Sequence, residues 1–359
     1  MERVGKDMET MIYVIIPVYN CKKYIENTVN SVLKQPYKKI EIVIVDDGST
    51  DGSEEMCDNF ARCNERVHTI HQENSGVSSA RNTGIEYVIR QHKEYDRGYV
   101  AFLDADDAWL KESIDNRVEK ILCQELDLIG FQSCMCDYSM SYREKPRDLN
   151  EGFKEGGSTA VWNFSTQSFA AMFYSIKLLK KFNLRFFQMK YSEDKIFLMQ
   201  SLYLANQMYL ENRLVYLYRD NGFSAIHSRK MGIEYFLPIV EGYLKSDLVM
   251  EKWANNKRGT LQEGNKMARL YLMDMINEHY MCGGKREDIK KLFEINKQFL
   301  YLLNNESIGG EKDNQKWMYM VKHPYRTQIK SRIYGLLKKA LKNSFIKERV
   351  DKRKYSIKI

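Results

Sequence analysis

Four short apolar runs in the first third of the chain each end abruptly in polar residues. Met11–Val18 (MIYVIIPV) stops at Tyr19-Asn20, and Ile40–Val45 (IEIVIV) stops at Asp46-Asp47-Gly48. Val67–His71 is followed by Gln72-Glu73-Asn74-Ser75-Gly76, and Tyr99–Leu103 by Asp104-Ala105-Asp106-Asp107. Apolar runs of this length predict strands, the first two buried on both faces. Between them the spacing turns helical. Tyr24, Val29 and Val32-Leu33 form a stripe within Cys21–Gln35, with Asn20 as the expected N-cap. Further helices are predicted up to about Cys63 and from about Val77 to Gln91. Strands alternating with helices predict an α/β fold, a mostly parallel sheet flanked by helices with right-handed crossovers.

The carboxylates after the fourth run carry the first chemical signal. Three of them within four positions cannot lie unpaired away from water. On that stretch alone two readings stand. One is a hard divalent cation held by oxygen ligands; the other is a solvated strand-to-turn junction, where Asp is common. In parallel sheets ligands bind outside the carboxyl ends of the strands. Pro17-Val18-Tyr19-Asn20, Asp46-Asp47-Gly48, Asn74-Ser75-Gly76 and Asp104-Ala105-Asp106 all fall at such ends, and that convergence favours a ligand site.

Further along, helical pattern is expected at Glu112–Cys123 and a strand at Leu126–Ser133. A polar excursion spans Tyr138–Gly157, and a helix is expected at Ser168–Phe182. Ser192-Glu193-Asp194 opens another helix, where carboxylates also suit the helix dipole. A short strand is expected at Val215–Tyr218, then a polar loop at Arg219–Arg229 that holds His227. From there the pattern is helical to Asn305, followed by a polar linker and a basic amphipathic tail. The predicted organisation is a catalytic domain over 1–230, a helical extension over 231–306, and linker and tail over 307–359.

Charge sharpens the picture only at the tail. Thirteen Lys or Arg face two acids from Lys322 to Ile359, so the other 321 residues carry −3 of the net +8 (8 less 11). The tail reads either as a helix lying on an anionic membrane surface or as one packed on the body by its apolar stripe. No nucleic-acid module accompanies the charge, so nucleic acid is not an expected partner. Seven cysteines without zinc spacing indicate reduced, structural thiols. The start of the chain lacks the apolar core of a signal peptide, so a cytoplasmic location is expected, with the inner face of the cell membrane as the surface available to the tail. No Gly-x-Gly-x-x-Gly follows the first strand and no Gly-Lys-Ser/Thr loop occurs, which argues against dinucleotide-binding and P-loop enzymes.

The motifs together resemble the family-2 glycosyltransferases of GT-A fold. The resemblance is carried by Val14–Asn20, Ile44–Ser53, Asn74–Gly84 and Phe102–Asp107, in that order and spacing, with Glu193-Asp194 similar to a later Glu-Asp motif. It implies metal-dependent, inverting transfer of a sugar from a UDP-sugar to a hydroxyl of a glycan or lipid-linked glycan, in bacterial capsule, exopolysaccharide or lipopolysaccharide synthesis. Protein or teichoic acid as acceptor, and a non-catalytic nucleotide-sugar-binding partner, are the alternatives. Asp106 would ligate Mn2+ or Mg2+. Asp104, with Ala105 beside it, would contact the donor's ribose or sugar, and Asp47 would accept a hydrogen bond from uracil. Pro17 and Tyr19 would pack around the base, Asn74 and Arg81 would complete the nucleotide pocket, and Asp194 would be the general base. For Arg81 the alternative is a surface helix charge. For His227, a metal or diphosphate contact stands beside a merely structural role.

Overall fold

The computed structural model describes residues 10–92, 97–137, 140–141, 145–157, 160–161, 163 and 168–220, and of the later chain 238–243, 245–246, 276, 279–280, 285 and 287–289. The expected helical extension and basic tail, and His227 with them, lie largely or wholly outside the described residues. Two compact units are distinguished, one built on residues 1–188 and 193–224, the other on 189–192 and 225–353. The described part of the second unit contributes buried Ile239, Val240, Tyr243, Ile276, Tyr280 and Ile289. Among the described residues no helix is long and apolar enough to cross a membrane.

The first unit carries the sheet. Strands β1 (Thr10–Val18), β2 (Ile40–Asp46), β3 (Val67–His71) and β4 (Arg97–Phe102) alternate with α1 (Ile25–Leu33), α2 (Ser53–Cys63) and α3 (Val77–Gln91). All pairings among these four strands are parallel, in the order β3-β2-β1-β4. Register sets Val18 beside Asp46, Asp46 beside His71, and Ile15 beside Phe102. The carboxyl ends of the four strands therefore form one edge. α3 lies close on β1 because residue 84 is glycine: a Cβ there would stand 2.5 Å from the Ile15 side chain.

Past β4 the parallel rule stops. The chain continues through β5 (Ala108–Trp109), α4 (Asn116–Leu122), β6 (Leu128–Cys136), β7 (Gly152–Glu155), a 3-10 turn at Phe169–Ala171, β8 (Met172–Ser175), α5 (Ile176–Lys181), α6 (Glu193–Leu204) and β9 (Gln207–Arg219). β8 runs antiparallel between β4 and β6, whereas β6 pairs β9 in parallel; β5 and β7 both pair β9 antiparallel. The sheet is thus parallel in its first half and mixed in its second.

Four expectations are corrected here. The helix predicted over 168–182 contains a buried strand, because Met172–Ser175 is enclosed by β4 and β6. β9 is thirteen residues long rather than four; its polar middle, Glu211-Asn212-Arg213, lies at register shifts opposite β6. β7 occupies part of the expected excursion. α1 starts at Ile25 with Tyr24, not Asn20, at its N-cap. Asn20 adopts a left-handed φ of 52° and accepts a hydrogen bond from Thr50 N at 2.8 Å, tying β1's end to the loop after β2.

A cluster of rings sits beneath the carboxyl edge. Phe102, the last residue of β4, meets Phe169, Tyr174, Phe186 and Phe197 at centroid distances of 5.1–5.8 Å. Phe186 and Phe197 stack at 4.0 Å. Edge and offset contacts of this kind add about 0.5–1.5 kcal/mol per pair beyond burial.

Candidate active site

The turn after β4 is fixed from two sides. From α1, the Thr28 hydroxyl lies 2.8 Å from the Ala105 carbonyl and 2.7 Å from that of Asp107. Ser31 Oγ accepts from Trp109 N at 3.0 Å. Gln35 donates to Leu110 O and accepts from Ile114 N, both at 2.9 Å. Thr28 and Ser31 share one face of α1, Gln35 follows just past its C-cap, and all three are buried. From β9, Asp107 accepts from the Tyr216 hydroxyl and, at 2.8 Å, from Arg219 N. Arg219 Nε donates to the Asp106 carbonyl at 2.6 Å, Nη2 reaches Asn27 Oδ1 at 3.1 Å, and the guanidinium lies over the Tyr24 ring. Asp107 is 1% exposed, and burial, with Asp106 and Asp104 behind it, pushes its carboxyl well above the usual range. It is a structural member of the turn.

Asp104 and Asp106 are half-buried on that turn, with Ala105 buried between them. The Asp104 carboxylate meets Arg81 Nη2 at 2.8 Å, and Arg81 Nη1 meets Glu193 Oε1 at 2.9 Å. Arg81 is 3% exposed, which removes the surface-charge alternative. Its guanidinium faces Phe169 and Phe186, 4.7 and 5.3 Å from their centroids. Burial opposes its charge, but Asp104 and Glu193 outweigh that and hold the proton more firmly than usual. Both terminal nitrogens are on carboxylates, so the structure places Arg81 between the acidic motifs rather than in an open pocket wall. Glu193 is pushed up by burial and by Asp194, and Arg81 only partly offsets this. Asp194, next along α6, is half-buried and accepts from Lys195 N at 2.8 Å.

At the other end of the edge, Asp47 is 3% exposed and accepts from Ser75 N and Gly76 N at 2.8 Å and from Gln72 Nε2 at 2.7 Å. Gly48 allows the close approach: its φ is +75°, and a Cβ there would lie 3.0 Å from Asn74 N. Asn74 is exposed on this loop, Pro17 is buried in β1, and Tyr19 is 51% exposed beyond it. Beside Asp47, Asp46 holds His71 Nδ1 at 2.9 Å, while His71 Nε2 meets Asp58 at 2.9 Å. Asp46 first, then Asp58, raise the imidazole pKa above its ordinary value.

The residues on the turn fit a hard divalent cation. Mg2+ and Mn2+ take one or two protein carboxylates and complete their shells with phosphate and water. The Cys21 thiol records the local field: burial, then Asp106, Asp51 and Asp104, push it up to about 11. Among the described residues no group of three or more His, Cys, Asp and Glu could hold a metal ion, so a cation here would draw further ligands from its substrate. His227 falls outside the described residues.

Tyr216, Arg219 and the Thr28–Ser31–Gln35 set were not foreseen. Arg219 directly after an apolar run was a usable signal; a buried polar stripe beside an apolar one on α1 was another.

The profile described as "Glycosyl transferase family 2" matches residues 13–182. Glycosyltransferase GlyA of Streptococcus pneumoniae is 34% identical over 226 residues, 59% of this chain and 31% of GlyA. The minor teichoic acid biosynthesis protein GgaA of Bacillus subtilis is 31% identical over 168 residues, 46% of this chain and 35% of GgaA. This chain thus spans about a third of the length of either relative. Among solved structures, S. aureus TarS 1-349 in complex with UDP-GlcNAc superposes with a TM-score of 0.64 at 18% identity, covering 90% of this chain and 89% of TarS 1-349. That likeness is one of fold.

Proposed function

We propose that this chain, matched over residues 13–182 by the family-2 glycosyltransferase profile, acts as such a transferase and moves a sugar from a UDP-sugar to a hydroxyl of a bacterial surface glycan, polysaccharide or teichoic acid. The observation that carries the reading is the meeting of two acidic motifs, 89 positions apart, through one buried cation: Asp104 and Glu193 on Arg81. The GgaA relationship supports a surface polymer as acceptor, and the TarS–UDP-GlcNAc complex supports a UDP-sugar donor.

In this reading the nucleotide lies along the carboxyl edge. Tyr19 and Pro17 flank the base, and the Asp47–Asn74 loop pair reads its edge. Asp104 takes the ribose or sugar, and Asp106 would hold Mn2+ or Mg2+. A divalent cation there supplies Lewis-acid stabilisation of the leaving diphosphate. Asp194 takes the proton from the acceptor hydroxyl as its oxygen attacks C1. The C1–O bond to the diphosphate breaks, UDP leaves, and the anomeric configuration inverts. A positioned base of this kind is worth about 10²–10⁴-fold. Asp194 at the start of α6, on a packed helix, suits that role better than a loop carboxylate would.

The test is UDP release from UDP-sugars with Mn2+. Release that disappears with chelator and in Asp106→Ala is expected. Asp194→Ala should retain UDP binding and lose release; full activity in that variant would sink the base assignment. UDP binding without release from any donor or acceptor tried would favour a binding protein instead.

A further inference from the structure

We propose that Glu193 is a positioning residue: through Arg81 it fixes the first turn of α6, and with it Asp194, against the turn that carries Asp104 and Asp106. The inference rests on the transferase reading. It assigns Glu193 no contact with donor or acceptor.

Three observations carry it. Arg81 connects the two elements directly, 2.8 Å to Asp104 and 2.9 Å to Glu193, and its face is packed on Phe169 and Phe186. The guanidinium is thus held between two rings and two carboxylates. The approach to α6 is anchored on the same helix: Asn82 Nδ2 donates to Phe186 O at 2.9 Å, and Phe186 N donates to Asn82 Oδ1 at 2.8 Å. Arg185 adds a pair with Glu86 at 2.9 Å. Phe186 in turn stacks on Phe197 within α6. α3 thus grips the chain before α6 at residues 185–186 and at the helix's first residue.

Charge gives the grip a purpose beyond packing. Glu193 and Asp194 are adjacent carboxylates, and Asp194 is among the charges that act on Arg81. Without Arg81, the Glu193 carboxylate, its side chain 13% exposed, would lose the cation that compensates its desolvation, which favours an outward shift of the first turn of α6. A misplacement of about 1 Å at a reacting group costs on the order of 10²-fold in rate. The side chain at 193 must therefore be both charged and of glutamate length, whereas a helix start needs only a generic acid or cap.

The test uses the full chain, UDP-GlcNAc and Mn2+, with water as acceptor. Three quantities are read: the limiting rate of UDP release, the Kd of UDP with Mn2+, and Tm. Glu193→Gln should lower the limiting rate about 10- to 100-fold with Kd within about threefold. Glu193→Asp keeps the charge but withdraws it by one methylene, and should fall as far. Arg81→Met and Glu193→Gln should be non-additive, the double variant being no slower than Arg81→Met alone. In Glu193→Gln, amide exchange should quicken at residues 194–198 and stay unchanged across 82–91. A rate loss explained by the folded fraction, additive losses, or unchanged exchange at 194–198 would overturn the proposal. Wild-type protein that binds UDP but releases none from UDP-GlcNAc, UDP-glucose or UDP-galactose would overturn the transferase reading instead, and the exchange measurement would still decide the grip.

Discussion

Thr28→Val removes one proton from beneath the acidic turn and changes almost nothing else, since valine matches threonine in shape. The Thr28 hydroxyl is fully buried and lies 2.8 and 2.7 Å from the Ala105 and Asp107 carbonyls. A hydroxyl has a single hydrogen, so these two acceptors share it with the Tyr24 carbonyl at 3.3 Å. Valine would leave the first two without that donor in a site closed to water, at about 1–3 kcal/mol. Taking about 2 kcal/mol, and about 2–4 °C per kcal/mol for a unit of this size, Tm falls by about 4–8 °C. If about half of the loss is felt as disorder of the turn, UDP binding with Mn2+ weakens about fivefold. Thr28→Ser is the control. It keeps the hydroxyl and loses one methyl, about 0.8 kcal/mol. Calorimetric melting and UDP titration of both variants decide the matter. Thr28→Ser as destabilised as Thr28→Val, or unchanged UDP binding in Thr28→Val, would refute the claim that α1 shapes the turn by hydrogen bonding.

Two further expectations concern stability. The His71 pKa is raised by Asp46 and Asp58, so its contribution is fully present below the ordinary value of 6.5 and is lost as pH rises through the folded-state value. Denaturant melts of wild type and His71→Ala should therefore differ most at pH 5.5 and converge towards pH 9, by under about 1 kcal/mol because the ring is half-exposed; a gap that widens with pH would contradict the sign. Asp115 caps α4, accepting from Arg117 N at 3.0 Å, and pairs with Arg213 at 2.8 Å. Asp115→Ala should cost about 1 kcal/mol in urea unfolding, and no loss would show the cap to be idle.

What could be read from the sequence follows a physical line. β1 to β4 and α3 were legible because each is specified locally, by a continuous apolar run or by helical spacing after Gly76. Val67–His71 and Val77–Gln91 came out at the expected bounds. β8 was not legible, because Met172-Phe173-Tyr174-Ser175 is a four-residue buried run, and periodicity does not separate such a strand from a helix turn. β9 was cut short because Glu211-Asn212-Arg213 reads as a loop, whereas pairing with β6 carries the strand through it at a bulge. The positions of the acidic motifs were legible, but the link between them was not. Arg81 and Glu193 are 112 residues apart, and nothing local in either stretch announces the pairing.

The way Asp47 meets the chain ahead of α3 sets a limit on how this site can read its ligand. The amides of Ser75 and Gly76 already point at that carboxylate. Many nucleotide sites recognise phosphate with free amides at such a strand-to-helix junction; here two of the junction's amides are taken by the chain's own carboxylate. In the proposed reading, nucleoside recognition would fall at the Asp47 loop and charge recognition at the acidic turn, where a divalent cation would be held. With the cation chelated, uridine and UDP should bind within about threefold of each other, and Mn2+ should restore a preference for UDP alone. The protein would then sense its metal supply as a change in which uridine compound it holds, before any sugar is moved.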